Sequence, residues 1–497
     1  MTDNQPQAPT APVSPRPRVL AIVVNWNKID FVRKLLARLQ GLRRPPDDIV
    51  LVDNASTDGT ADMARRDFPA VHLVCNAENL GGSGGFNSGL RWGLENGPYD
   101  YFWLLDNDVI VHEGALEALL DVAEADPKVG MVGSRLVVIG DPELTQECGV
   151  VLDWPKYVLL KQGECERFPA WPDPNPTIFD VDYGAACSVL ARVSAVEEVG
   201  IWYSGYFVYN DDIEWGVRFK RAGWKVKATS ASVVEHENNN ERRLLCKPFQ
   251  LYLNIRNALF FMANFAPRKP RMIFFLLDMR RKLSTILKAV LSGQRGTAKA
   301  TALAIYDFFL SRMGPCPHTF EEDAPVDFPA FDQDKLGDEI PNRRGRLLFW
   351  NMSRTEETRR IVEKARRVFP NHKIDLLVQD DLSALKDFTA DGVIRTRTRS
   401  WMDRLRLSRW ARKNHDAVIH GRRDGRMLWE FRLPVAIWYS DDGVFGWSRN
   451  RAWHFWLLLF AFPVFILGAL CLLALEELKP KARVNYFDWK KKPENKA

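Results

Sequence analysis

Ile49-Val50-Leu51-Val52-Asp53-Asn54-Ala55-Ser56-Thr57-Asp58-Gly59 sets a continuous apolar run directly against an acidic loop rich in helix-capping residues. A strand apolar at every position is buried on both faces, as in a parallel sheet with helices above and below it. The Ser, Thr and Asp after it predict the start of a helix running through Ala64. The pattern repeats on either side. Residues 19–26, Val-Leu-Ala-Ile-Val-Val-Asn-Trp, read as a first strand, followed by a helix from Asp30 through Gln40 with Phe31, Leu35, Leu36 and Leu39 on its apolar side. Val71–Cys75 reads as a third strand, followed by the glycine-rich turn Asn79-Leu80-Gly81-Gly82-Ser83-Gly84-Gly85 and a helix to about Glu95; Tyr101–Leu105 reads as a fourth strand. Short strands alternating with helices predict an α/β layer with a mainly parallel sheet. Such sheets bind ligands beyond the carboxyl ends of their strands, where Asn25, Asp53 and Asp106 fall.

Further along, Val129–Val138, Val150–Leu152 and Gly184–Ala191 read as a second sheet portion. An acidic cluster opens a helix over Ile213–Ala222, and short strands at Val226–Ala228 and Ser232–Val234 lead to His236. Helices are expected from about 244 to 313. Residues 320–342 hold eight acidic residues, one lysine and four prolines or glycines, a linker composition. Strand and helix periodicity then restarts: Leu347–Trp350, Ile374–Val378, Val393–Thr396, Ala417–Ile419 and Val435–Tyr439 as strands, Glu356–Phe369 as a helix. Asp380, Asp381, Asp441 and Asp442 in this part read as loop and cap residues. The expected organisation is a disordered tail without a signal peptide (1–18), a catalytic α/β domain (19–240), a basic helical extension (241–319), an acidic linker (320–342), a second small α/β domain (343–445), and an apolar segment with a basic tail (446–497).

At 497 residues the chain exceeds one ordinary core, and 46% hydrophobic content suits several packed domains. A net charge of +6 is small for this length and does not point to nucleic acid. Residues 266–300 are different. They carry nine Lys/Arg and one Asp among apolar residues, which suits an anionic surface such as a membrane, or else a solvated helix face. Between Arg451 and Glu476 stand 24 residues without Asp, Glu, Lys or Arg, within the range of a membrane-crossing or interfacial helix; a buried oligomerisation helix is the other reading. Seven irregularly spaced cysteines give neither a disulfide framework nor a CxxC metal signature.

Asp106 and Asp108 directly follow an apolar strand, in Phe102-Trp103-Leu104-Leu105-Asp106-Asn107-Asp108. A strand end turns, so both carboxylates can face one hard cation and its diphosphate, and Mg²⁺ or Mn²⁺ prefers such oxygen ligands. His236 offers an imidazole as one further ligand, better suited to Mn²⁺. Asp211, Asp212 and Glu214 open a helix, where acidic residues are ordinary caps; Asp212 is also the choice of general base for an acceptor hydroxyl, its pKa raised by the adjacent Asp211. Arg218 is read as orienting this acidic set. The glycine turn, with Gly82 and Asn87, permits close backbone approach to a nucleotide or packs tightly under the sheet. It lacks the spacing of an ATP-binding P-loop, and the first strand lacks a dinucleotide fingerprint.

Together these motifs resemble the inverting glycosyltransferases of family 2, which have a GT-A fold, over roughly residues 18–315. The likeness rests on Val-Val-Asn-Trp-Asn at 23–27, Val52–Gly59, Asn79–Asn87, Asp106-Asn107-Asp108 and Asn210-Asp211-Asp212-Ile213-Glu214. It implies a nucleotide-sugar site of Asn25, Asp53, Asn79, Gly82, Asn87 and Asp106, with Asp53 reading the base. It also implies a metal held by Asp106, Asp108 and His236, and a base at Asp212 beside Asp211. Trp202, Tyr203 and Trp215 are placed on the acceptor side. Within the family the likeness is strongest to bacterial galactofuranosyl- and rhamnosyltransferases. That implies a UDP- or dTDP-sugar donor, a lipid-linked glycan acceptor and work at the cytoplasmic face of the cell membrane, peripheral or anchored, with a homo-oligomer as one option. Nucleotidyl transfer is a rival, which would need basic residues near the first strand where Lys28 stands nearly alone; a non-catalytic sugar-nucleotide-binding scaffold at the membrane is another. Tyr252-x-x-x-Arg256-Asn257 also recurs in bacterial members, without an assigned role.

Overall fold

A computed structural model describes residues 16–323 except 140, 155–157, 164–165, 167, 169–174, 237–246 and 292–293. Of the remainder it describes 345–350, 362–363, 365–367, 369–379, 391–396, 410–411, 413–420, 435–439 and 445–449. The apolar segment 451–476, the first 15 residues, and Asp380, Asp381, Asp441 and Asp442 lie outside the described residues.

The first half alternates as expected: β1 (Val19–Asn25), α1 (Ile29–Gln40), β2 (Asp48–Asp53), α2 (Thr60–Asp67), β3 (His72–Cys75), α3 (Gly81–Asn96) and β4 (Tyr101–Asp106). β3, β2, β1 and β4 are all parallel neighbours. Alternation along these strands divides the core. Val19, Ala21, Val23, Leu51, Trp103 and Leu105 point to a cluster under α1, α2 and α4 (Ala115–Glu124). Leu20, Ile22, Val50, Phe102 and Leu104 point to the other face, towards α3, α5 (Val193–Val199) and α6 (Asp211–Arg221). On α1 the buried residues are Val32, Leu35, Leu36 and Leu39, whereas Phe31 is exposed, contrary to its place on the expected apolar side.

Two expectations are corrected here. The glycine run is not a turn preceding a helix; it is the beginning of α3 itself. Gly85, Gly89 and Gly93, spaced four apart on one helix face, lie so close to Val24, Ile22 and Leu20 of β1 that a Cβ at any of them would collide. The signal read as nucleotide contact is therefore largely a helix–strand packing stripe. Nor is there a second sheet portion in this half. β6 (Val129–Val138), β11 (Ser188–Arg192) and the single long strand β12 (Lys225–His236) join β4 in one sheet of order β10-β12-β6-β11-β4-β1-β2-β3, with β10 at Ile178–Asp180. β11 runs antiparallel to both β4 and β6, making the sheet mixed. β5 (Val109–Val111) pairs with the end of β12, and β7 (Asp141–Glu147) with β6. Only β8 (Val150–Asp153) and β9 (Val158–Lys161) stand apart as a hairpin. The two strands expected at 226–228 and 232–234 are one, because the ladder with β6 skips between Thr229 and Val233 without ending.

Helices α7 (Pro248–Phe265), α8 (Arg268–Leu291) and α9 (Arg295–Phe309) follow. Tyr252, Leu253, Leu259, Phe260 and Phe261 of α7 and Ala300, Ala304 and Phe308 of α9 share one core with Tyr206, Ile213 and Val217. No described helix is long and apolar enough to cross a membrane. A second sheet contains β13 (Arg346–Trp350), β14 (Lys373–Gln379), β15 (Gly392–Thr396), β16 (Ala417–His420) and β17 (Val435–Tyr439) in the parallel order β15-β14-β13-β16-β17. β18 (Phe445–Arg449) closes it as an antiparallel edge and runs past residue 445, where the sequence reading stops. The architecture is an α/β fold with a mixed, mostly parallel central sheet, helical decoration and a smaller accessory α/β region.

Candidate active site

Strand register brings the expected residues level. Asn25 pairs with Asp53 across β1 and β2, and Val24 pairs with Asp106 across β1 and β4, so all three acidic or amide ends share the carboxyl edge. Asn25 is buried; its amide donates to Thr60 Oγ1 at 3.0 Å and its carbonyl accepts from Asn107 Nδ2 at 2.6 Å. Asp53 is also buried and accepts the Ser56 N–H at 3.2 Å. Asn79 accepts the Gly81 N–H at 2.8 Å and an Asn54 amide hydrogen at 3.0 Å, which shapes the entry to α3. Asn87 lies deeper. Its amide bonds the Trp202 backbone in both directions at 2.9 Å and is taken up by the fold, so it leaves the nucleotide-binding set.

The metal ligands come together through two strand pairings. β5 lies antiparallel to the end of β12, with His236 opposite Val109, and so Asp108, one residue earlier, falls beside the imidazole at 3.5 Å. β11 pairs Ser188 with Leu105, and so Cys187, one residue earlier, falls beside Asp106, whose N–H donates to the Cys187 carbonyl at 3.3 Å. One ligand atom each from Asp106, Cys187 and His236 lies within 4.8 Å of the others. Lys28 reaches across from the β1–α1 loop to Asp108 at 2.6 Å. Asp106 and His236 of this cluster, with Asp108 beside the same imidazole, are donors of the kind that suit a Mn²⁺ or Mg²⁺ ion. Cys187 is the member the sequence reading lacked.

The electrostatics are those of crowded negative charge. Burial, then the neighbouring Asp108 charge, pushes the Asp106 carboxyl up to about 6. Burial acts on Asp108 in the same direction, but His236 and Lys28 beside it more than offset this and hold it far below the usual carboxylate range. Burial, then Asp211, raises Asp212 well above the ordinary value, with Glu147 and Asp106 adding to it. Glu147, on β7 and paired with Lys161 at 3.1 Å, adds negative charge to these surroundings and was not anticipated from the sequence. Burial, then Asp106, raises the Cys187 thiol well above its usual value.

Asp211 and Asp212 begin α6. Ser83 Oγ on α3 donates to Asp211 Oδ2 at 2.7 Å, and Asp212 Oδ1 accepts the Ile213 N–H at 2.8 Å. The approach to α6 is strained: Phe207, Tyr209 and Asn210 all have positive φ, of 66°, 71° and 64°. Side chains rarely adopt this region, and each instance persists only where the surroundings over-determine it. Here α7 does so. The Asn257 amide donates to the carbonyls of Tyr206, Val208 and Tyr209 at 2.9, 2.8 and 2.9 Å, and Arg256 holds Asn257 Oδ1 at 3.0 Å. Tyr252 in turn bonds the buried Asp307 at 2.8 Å, with His318 on the same oxygen at 2.6 Å. The opposite side is closed by Gly81, at φ 71°, where a Cβ would strike Phe207. A Cβ on Gly82 would stand 3.9 Å from Asp211 Oδ2, so Gly82 faces this loop as well.

Arg218 reaches the acidic set through its third member: it holds Glu214 at 2.8 Å and donates to the carbonyls of Val199 and Ile201 at 2.8 Å each. Two further expectations change. Trp215 is buried and its indole N–H donates to Gly200 O at 2.9 Å, which makes it a core residue and removes it from the acceptor side. Trp202 is buried too, between Phe86 and Trp215, though no acceptor for its indole N–H stands among the described residues. Tyr203 stays half-buried against Phe260 of α7.

Comparison with known proteins places this segment. Residues 20–169 match the sequence profile of Glycosyl transferase family 2. An N-acetylglucosaminyl-diphospho-decaprenol L-rhamnosyltransferase of Mycobacterium tuberculosis is 29% identical over 244 residues, 45% of this chain and 77% of that protein. A galactofuranosyltransferase of the same organism is 28% identical over 211 residues, 41% of this chain and 65% of that protein. Among solved structures, GalNAc-T7 with UDP, GalNAc and Mn²⁺ aligns at a TM-score of 0.43 and 13% identity, over 54% of this chain and 51% of that one. The profile match begins in β1 and takes in Asp53, Asp106 and Asp108, the acidic edge described above, so over residues 20–169 this chain is similar to Glycosyl transferase family 2.

Proposed function

We propose that the chain transfers a sugar from a nucleotide diphosphate to an acceptor hydroxyl with inversion, in one displacement. The observation that carries this reading is the placement of Asp106 beside His236, with Asp108 3.5 Å from the same imidazole, at the sheet edge and near enough to Asp212 for Asp106 to act on its charge. A bound Mn²⁺ or Mg²⁺ would supply Lewis-acid stabilisation of the departing nucleoside diphosphate. Asp106, Asp108 and His236 would hold that ion, and Lys28, already on Asp108, adds positive charge on the same side. Asp212 accepts the proton of the acceptor hydroxyl as the new bond forms. Its raised affinity for protons makes it a stronger base than an ordinary aspartate once ionised. Asp211 stays tied to Ser83, so the two adjacent carboxylates have separate tasks.

For the substrates, the rhamnosyl- and galactofuranosyltransferases among the relatives support dTDP-rhamnose or UDP-galactofuranose as donor and a lipid-linked glycan as acceptor. The basic composition of α8 supports work at an anionic membrane surface. Asp212→Asn tests the chemistry. Donor binding should stay within a few-fold while transfer falls by ~10²-fold or more, the scale of losing general-base catalysis. Turnover like wild type would remove Asp212 as the base. A panel of UDP- and dTDP-sugars scored for nucleotide release on a lipid-linked glycan tests the donor. Release of nucleoside monophosphate and pyrophosphate chemistry would favour nucleotidyl transfer instead.

A further inference from the structure

Cys187 is placed where no catalytic step described above needs a thiol. It is 8% exposed, sits one residue before β11, and its side chain shares a focus with Asp106 and His236, all three ligand atoms lying within 4.8 Å. The donor set is therefore sulfur, nitrogen and oxygen, not oxygen and nitrogen alone. Around one tetrahedral zinc ion, with bonds of about 2.0–2.3 Å, ligand atoms stand roughly 3.3–3.8 Å apart. Three protein ligands with a fourth position open is also the pattern of sites that exchange ligands, as against closed structural sites.

We infer that this focus is a binding site for a thiophilic divalent ion, Zn²⁺ or Cd²⁺, held by Cys187, His236 and Asp106 in competition with the hard ion that serves the sugar donor. The inference rests on the reading of Asp106 and His236 as ligands of that hard ion and adds Cys187 to the set. Affinity for a common N/O/S site rises from Mn²⁺ towards Zn²⁺, and thiolate ligands widen the gap. On binding, the Cys187 Sγ–H bond breaks, the sulfur electron pair goes to the metal, and the proton leaves to solvent. A soft ion held in this way recruits sulfur in place of the second aspartate. Asp108 stays with Lys28, and the diphosphate loses the Asp106–Asp108 pairing on its cation. The consequence is an enzyme supported by Mn²⁺ and inhibited by Zn²⁺ or Cd²⁺ at the same ligands.

The test uses the full chain, freed of metal and titrated with Cd²⁺ while thiolate-to-metal charge-transfer absorbance is recorded. Wild type and Cys75→Ser, which removes an exposed cysteine elsewhere, should develop a band saturating at one equivalent and suppressed by excess Mn²⁺. Cys187→Ser should lose the band and bind Cd²⁺ at least ~10-fold more weakly, the order of change that follows loss of a ligand-shell member. Cadmium NMR of wild type keeps the question open to refutation even if the variant misfolds, since one sulfur ligand displaces the resonance from the range of oxygen and nitrogen sites. A band unchanged in Cys187→Ser, a wild-type resonance without sulfur, or Cd²⁺ binding that Mn²⁺ does not displace would overturn the inference. Mn²⁺-dependent nucleotide release by wild type is measured separately: its absence refutes the transferase reading, whereas its presence without the sulfur signature refutes only the role of Cys187.

Discussion

Asp106→Asn should make the metal-free protein more stable at neutral pH while abolishing transfer. The Asp106 carboxyl titrates at about 6 in the folded chain against an ordinary 3.8, because burial and Asp108 disfavour its charge. A folded value above the unfolded one means that the native state binds the proton more tightly. Stability is then fully present below the unfolded value and lost as pH rises through 6. The displacement of roughly two pH units corresponds to about 3 kcal/mol at 1.36 kcal/mol per unit. Solvent at the half-buried edge and the coupling to Asp108 reduce this to about 1–3 kcal/mol. Asparagine keeps the shape and cannot ionise, so the variant escapes that cost.

Hydrogen exchange read on the peptide covering Tyr101–Asp106 isolates β4 from the rest of a chain with several domains. With a chelator present at pH 7.5, exchange from this peptide should be roughly 5- to 100-fold slower in the variant, at about 1.4 kcal/mol per tenfold. The free-energy advantage should fall to about half by pH 5, where the folded wild-type carboxyl is mostly protonated and the unfolded one is not. Added Mn²⁺ should reverse the ranking, because ion at a hundred times its dissociation constant stabilises wild type by about 2.7 kcal/mol and the variant by much less. Faster exchange in the metal-free variant at neutral pH, or an advantage indifferent to acidification, would refute the electrostatic account of this site.

Replacing Asn257 with Ala removes the amide donor to three backbone carbonyls of the strained loop before Asp211. Local destabilisation of about 1–3 kcal/mol is expected, with kcat falling more than donor affinity; equal loss in both would point to unfolding without a positioning role. Arg256→Lys should not rescue loop order, since one ammonium cannot replace the forked contacts to Asn257 and the Tyr206 carbonyl; loop exchange like wild type in that variant would contradict this. The intact chain should sediment with anionic vesicles, and the chain cut after Asp442 should bind them less tightly and be released at lower salt. Unchanged vesicle binding with an altered sedimentation mass would instead make 451–476 an oligomer contact.

Much of the carboxyl edge was legible because it depends on local pattern. A doubly buried strand ending in a polar residue announces both the strand and the level of its end, so Asn25, Asp53 and Asp106 could be placed together before any contact was known. Asp108 and His236 were legible for the same reason. Cys187 and Glu147 were not. Each enters the site through an antiparallel neighbour, β11 beside β4 and β7 beside β6, and no spacing in the chain announces which strands a crossover will bring together. Asn87 and Trp215 misled for the opposite reason. An amide and an aromatic next to catalytic motifs look like contacts for a ligand, but a packed interior needs polar atoms to fix α3 and α6, and both residues serve that end. The glycine run carried two signals at once, close packing on β1 and a tight contact at Phe207, and neither is visible without the helix they belong to.

The loop from Tyr206 to Asn210 explains why a helical extension follows the catalytic sheet at all. Three non-glycine residues with positive φ cost of the order of 1–3 kcal/mol each, and from the catalytic half α3 contributes a backbone bond, Ser83 N–H to Phe207 O at 3.2 Å, to hold them. The compensating bonds come from α7, through Asn257, and their anchor comes from α9, through Asp307 and Tyr252. The strain ends at Asn210, and the next two residues are Asp211, tied to Ser83, and Asp212, the proposed base. Relaxing the loop would swing the start of α6 and with it Asp212, whose burial raises its proton affinity. A base at this position therefore needs the extension. Helices that contribute no residue to the metal ligands still set where the proton is taken, and changes in the packing of α7 and α9 should appear first in turnover, before they appear in binding of the donor.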